Sequence, residues 1–193
     1  MHIVFLHGAW SSSKVFNYIL KCLKYKGSYT LIDYSSKIRF TENLELLYQQ
    51  VQDLQNVFFI AHSFGGIYAS HLAEKLGDKC IGGVTLATPY GGIEGSHVLS
   101  MMFPSEGIFK DIASSSRAIK KIAHVQLPEN WTSVVCESNS GVPWIKEPSD
   151  GVVTLNSQTA RVFNNTVKVA AGHHEVLQDP VAVDIIKERL YNN

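Results

Sequence analysis

Bulky apolar residues recur along this chain in short unbroken runs: "IVFLHG" at 3–8, "YTLIDY" at 29–34, "NVFFIAH" at 56–62, "IGGVTLAT" at 81–88, "TSVVCES" at 132–138 and "TVKVAA" at 166–171. Their length and their β-branched and aromatic content predict strands. Most are apolar at consecutive positions, which suits a parallel sheet covered on both faces; a half-exposed antiparallel sheet would alternate. Between the runs the period changes. Leu44, Leu47, Tyr48, Val51 and Leu54 recur at helical spacing, as do Ala69, Leu72, Ala73 and Leu76, and again Ala182, Ile185, Ile186 and Leu190. Asp179 and Pro180 fit the cap and first turn of the last of these helices. Strands alternating with helices predict an α/β layer fold, with right-handed crossovers and functional loops at the carboxyl ends of the strands.

One stretch departs from this rhythm. From Thr88 to Trp131 no clear strand pattern occurs, and "SHVLSMMFPSEGIF" gathers Met101, Met102, Phe103, Ile108 and Phe109. It reads as an insertion of about residues 88–131. Two readings stay open: a crossover helix near 107–123 packed on the sheet, or a small cap lining an apolar pocket.

Composition narrows the partners. At 193 residues and 45% hydrophobic content, the chain suits one domain, residues 1–193, with a single buried core. Seventeen basic and seventeen acidic residues balance to a formal net charge of zero, so nothing points to nucleic acid or an anionic membrane surface. A small molecule is the expected partner. Neither a signal-peptide pattern nor a run of transmembrane length is visible, which makes the cytoplasm the default expectation. Cys22, Cys80 and Cys136 lie far apart in apolar surroundings and form no C-x-x-C, as expected of reduced, buried thiols.

The candidate chemistry begins at "FFIAHSFGG", where Ser63 follows a strand and precedes a helix. A-H-S-F-G fits the nucleophile-elbow pattern G-x-S-x-G with alanine first. Such a turn projects the hydroxyl from the sheet by straining the serine backbone to positive φ. It brings strand and helix so close that positions two before and two after the serine, here Ala61 and Gly65, tolerate little side chain. An ordinary N-cap serine is the plainer alternative. A serine hydroxyl needs a base to take its proton and donors for the oxyanion that forms. "HGAW" at 7–10 ends the first strand, a natural neighbour of the third, so the N–H groups of Ala9 and Phe64 are candidates for the oxyanion hole. His7 is expected to brace that loop. Chain order in this architecture calls for an acid after a later strand and a histidine after the last. "EPSDGVV" supplies Asp150, with Glu137 in reserve, and "AAGHHEVLQDP" supplies His173 and His174, between which spacing in the strand pattern does not choose. Adjacent histidines lack the usual metal-ligand spacing, and no metal is expected.

Together "HGAW", "AHSFGG", "TLATPYGG", "EPSDGVV" and "GHHEVLQDP" resemble the α/β-hydrolase superfamily, especially its small serine esterases and lipase-like members, over nearly the whole chain. The resemblance implies a minimal, mostly parallel six-stranded sheet with helices on both faces. It also implies a Ser63–His173–Asp150 triad, because the base in such proteins commonly lies seven residues before a proline, here Pro180. Hydrolysis of a carboxylic ester through an acyl-enzyme follows, with no cofactor; the Met/Phe-rich insertion adds the expectation of an apolar acyl group, met by Trp10, Met101, Met102 and Phe103. Thioester or amide hydrolysis with the same triad is the alternative, and a non-catalytic binding protein is a second. Alanine at the first elbow position and the absence of the family's leading strands are the departures from its pattern.

Overall fold

In a computed structural model that describes residues 1–93, 108–138 and 147–191, six strands form one sheet: β1 (His2–Leu6), β2 (Ser28–Ile32), β3 (Val57–His62), β4 (Cys80–Leu86), β5 (Trp131–Cys136) and β6 (Asn165–Val169). Their order is β2-β1-β3-β4-β5-β6 and every neighbouring pair is parallel. From β1 the chain moves outward to β2, then returns across β1 to β3 and continues to β6. The winding direction therefore changes between β1 and β3, and ligands of open α/β sheets gather outside the carboxyl ends of strands at such a switch.

Both sheet faces are covered. Val4, Leu6, Val57, Phe59 and Ala61 enter one apolar cluster, whereas Ile3, Phe5, Phe58 and Ile60 enter the other. Because alternate residues point to opposite faces, covering both faces demands an apolar residue at every position, which is why the central strands read as continuous runs. The first face is packed by α2 (Phe40–Val51), α3 (Phe64–Leu76), α4 (Ile108–Asp111) and α5 (Arg117–Ile122), through residues such as Phe40, Leu47, Ile67, Leu72, Ile108 and Ile119. The second is packed by α1 (Asn17–Leu23) and α7 (Pro180–Tyr191), through Ile19, Leu23, Ala182 and Ile186. A short α6 (Leu155–Gln158) lies between β5 and β6 in the chain. Only the edge strands β2 and β6 expose side chains along their length.

Every strand except β3 ends two residues short of its apolar run. The surplus residues, such as His7–Gly8 after β1 and Ala87–Thr88 after β4, form the loops at the carboxyl edge. Where one of the two open readings was a single crossover helix near 107–123, the described residues form two short helices. Ser116 separates them: its hydroxyl donates to the Asp111 carbonyl at 2.6 Å and accepts the Ile119 N–H at 3.2 Å, closing one helix and capping the next. Phe109's side chain and the stretch containing Met101, Met102 and Phe103 lie outside the described residues. Cys80 and Cys136 are buried, and burial pushes both thiols up to about 12; Cys22 is only half-buried, against expectation, and packs at the margin of the second apolar cluster. Among the described residues no helix is long and apolar enough to cross a membrane.

Candidate active site

Strand register brings the candidate residues to one edge. Leu6 pairs with Ala61 and His62 with Leu86, so the loop after β1 runs beside the start of α3. Ser63 joins β3 to α3 with φ 52° and ψ −128°, a conformation that L-residues adopt only when their surroundings hold them there. Here the Ser63 N–H donates to the Leu86 carbonyl at 2.8 Å. The Ser63 carbonyl accepts from the Gly66 N–H at 2.9 Å and from the Thr88 hydroxyl at 3.1 Å. The close approach is measurable at Gly65, where a Cβ would lie 2.3 Å from the carbonyl oxygens of Leu6 and His7.

The loop after β1 also comes close to Ser63, with somewhat more room. A Cβ on Gly8 would lie 3.0 Å from Ser63 Cβ and 3.5 Å from its hydroxyl oxygen. The glycine thus brings residues 7–10 against the serine, next to which stands Ala9. Phe64 is the first residue of α3, and its N–H is one of the donors that a helix start leaves without an intrahelical partner. His7, fully buried, fastens the loop. Its Nδ1–H donates to the Gly8 carbonyl at 2.6 Å, its Nε2 accepts the Tyr34 N–H at 3.2 Å, and the two rings stack at 4.4 Å. That network fixes a neutral tautomer, and burial lowers the His7 pKa accordingly. Trp10 follows with its side chain 54% exposed, at the outer rim of the loop.

Asp150 and His173 arrive from the loops after β5 and β6. His173 Nε2 accepts the Ser63 hydroxyl at 3.0 Å, and its Nδ1–H donates to Asp150 Oδ2 at 2.7 Å. All three residues are buried, at 7%, 5% and 3% exposure, so this chain of polar groups works in a low-dielectric setting. The other carboxylate oxygen accepts the N–H groups of Val152 at 2.9 Å and Val153 at 2.7 Å, and the His173 N–H donates to the Asp150 carbonyl at 2.8 Å. His174 is exposed and has no hydrogen bond to Ser63; partial burial and the neighbouring His173 lower its pKa. Glu137 pairs instead with Lys168 at 3.2 Å. Ser63, Asp150 and His173 are thus brought together, and His174 and Glu137 are not. Among the described residues no group of three or more His, Cys, Asp or Glu side chains is placed to hold a metal ion.

Three contributors escape a sequence reading. Thr88, in "ATPYGG", clamps the serine backbone. His62, buried and adjacent to Ser63, donates through Nε2–H to the His173 carbonyl at 2.7 Å, which anchors the loop that carries the imidazole. Burial, then the proximity of His173, pushes the His62 pKa well down, so it serves as a neutral donor. Gln158 touches Asp150 Oδ2 at 3.2 Å. Thr88 and His62 lie inside the quoted "TLATPYGG" and "AHSFGG", but neither motif shows what their side chains hold, and Gln158 lies in no motif at all.

A model of the alpha/beta hydrolase family matches residues 3–183. Among solved structures, a metagenomic carboxyl esterase superposes with a TM-score of 0.77 at 12% identity, over 100% of this chain and 76% of that one. A monoacylglycerol lipase from Paleococcus ferrophilus gives 0.66 at 13% identity, over 98% and 91%. An extracellular alpha/beta-hydrolase from a Paenibacillus species gives 0.63 at 13% identity, over 100% and 98%. At these identities the likeness is one of fold. No curated protein matches the chain.

Proposed function

We propose that this chain, which belongs to the alpha/beta hydrolase family, is a serine hydrolase that cleaves carboxylic esters. The observation that carries the reading is the unbroken polar chain from the Ser63 hydroxyl through both nitrogens of His173 to the Asp150 carboxylate. In the proposed reaction the Ser63 oxygen attacks the acyl carbon as its proton passes to His173 Nε2. The carbonyl π pair moves onto oxygen, and the N–H groups of Ala9 and Phe64 receive that oxyanion. Collapse of the intermediate breaks the acyl–oxygen bond, and the imidazolium returns its proton to the departing alcohol. Water then attacks the acyl-enzyme by the same route, releasing the acid and restoring the serine. Asp150 keeps the Nδ1–H tautomer and offsets the positive charge of the imidazolium while it lasts.

The proposed substrate is a small ester with an apolar acyl group. The fold shared with a carboxyl esterase and a monoacylglycerol lipase supports the ester class. Trp10, with Met101, Met102 and Phe103 from beyond the described residues, supplies the apolar side chains proposed to meet the acyl group.

The test is intact-mass spectrometry after exposure to a fluorophosphonate, with peptide mapping. One adduct on Ser63 is expected. It should vanish in Ser63→Ala, fall at least about 10³-fold in rate in His173→Ala, and persist in His174→Ala. Ester hydrolysis that survives in Ser63→Ala would overturn the reading.

A further inference from the structure

Gln158 closes α6 with 1% exposure, and a polar side chain so deeply buried is expected to find partners. Its Oε1 accepts the Cys136 N–H at 2.7 Å, and its Nε2 donates to the Cys136 carbonyl at 2.9 Å. Those two backbone groups belong to the β4 side of β5. The Val134 carbonyl, two residues earlier and therefore facing the same way, still accepts the Ala87 N–H at 3.0 Å. At Ala87 the chain takes φ 52° and leaves the sheet, so Cys136 has no strand partner on that side. The Gln158 carboxamide fills the place of the missing peptide unit.

Its remaining N–H faces Asp150 Oδ2 at 3.2 Å and the Val153 carbonyl at 3.3 Å, shared between the two. A flipped amide would set Oε1 against a carboxylate oxygen and two carbonyls, so the network selects this orientation. Asp150 Oδ2 is the same oxygen that accepts His173 Nδ1–H. The bonds from Val152 and Val153 come from the acid's own turn and shape it locally. Gln158 is the side chain that joins the carboxylate to the end of the sheet.

We propose that Gln158 is a positioning residue: by standing in for a β4 peptide and donating to Asp150, it aims Oδ2 at His173 and so sets the imidazole toward Ser63. The proposal rests on the ester-hydrolase reading above. Its effect belongs in kcat, because misaiming a proton-transfer chain slows bond making while leaving the acyl site untouched.

Gln158→Met keeps the length of the side chain and removes its donors, and Gln158→Glu keeps an acceptor for the Cys136 N–H. Each is to be compared with the wild type, after circular dichroism has established folding, in three ways: kcat and KM on an activated ester, the rate of fluorophosphonate labelling, and the downfield proton NMR resonance of His173 Nδ1–H, identified by its absence in Asp150→Ala. The expected result is a loss on the order of tenfold or more in kcat and in labelling rate, KM within about twofold of wild type, and a displaced or missing downfield resonance. Should Gln158→Met fail to fold, Gln158→Glu carries the same readouts. Wild-type kcat, labelling rate and resonance in a folded variant would overturn the proposal, as would a rise in KM alone. If wild-type Ser63 takes no probe, the hydrolase reading falls by itself, and the resonance still decides whether Gln158 aims Asp150 at His173.

Discussion

A methyl group on Gly65 would lie 2.3 Å from two backbone carbonyl oxygens, those of Leu6 and His7, and neither can rotate away as a side chain might. Gly65→Ala must therefore push α3 off β1 or open the loop that carries Ala9. Overpacking of this kind costs roughly 1–3 kcal/mol, and here it also displaces the elbow. Chemical denaturation and labelling should show both losses, with labelling reduced more than stability alone explains. Thr88→Val makes a milder version of the same point. It removes the hydroxyl that donates to the Ser63 carbonyl in a fully buried setting, for a cost of about 1–2 kcal/mol. A variant as stable as the wild type would mean that the elbow holds its positive φ without Thr88.

Helix ends govern the next scale. Ser116 both closes α4 and caps α5, so Ser116→Ala removes two hydrogen bonds at one joint and should cost about 1 kcal/mol or somewhat more, read from the urea midpoint. Asp179 does comparable service at α7, where its Oδ1 accepts the N–H groups of Val181 at 2.7 Å and Ala182 at 3.1 Å. That cap was legible in the sequence, because an acidic residue directly before proline at the head of an apolar 3.6-residue pattern has few other readings. The break between α4 and α5 was not. A single helix near 107–123 was one of two open readings of the sequence, and the hydrogen bonds of Ser116 show where it is interrupted.

The whole molecule carries a charge balance of zero, yet its histidines give it a pH dependence. His7, His62 and His71 are buried, and burial is the leading cause that lowers each pKa. In the unfolded chain these groups take up a proton near pH 6.5. Below that value the unfolded state binds more protons than the folded one, so stability must fall as pH falls from about 6.5 toward the depressed folded values. Above it the same groups are neutral in both states and contribute no slope. Urea unfolding from pH 5 to 8 should therefore give a plateau at the alkaline end and a decline on the acid side. His71→Gln, which can still donate to the Ala118 carbonyl, should reduce the decline; an unchanged slope would show that His71 is not among its causes.

The positions of the six strands, the corner at Ser63 and the family were legible in the sequence by itself, since each depends on contiguous residues: an apolar run marks a strand buried on both faces, and small residues around a serine mark a turn that excludes Cβ atoms. Chain order and the family's spacing point to Ser63, Asp150 and His173 as a set, by likeness rather than by physical derivation. Only the tertiary structure decided which imidazole faces the serine, because His173 lies 110 residues from Ser63 and its direction follows from bonds to Asp150 and His62. The same holds for Thr88 and Gln158. A threonine that restrains a serine backbone and a glutamine that replaces a missing strand have no local signature; their roles exist only where β4 leaves the sheet and distant carbonyls are left to be satisfied.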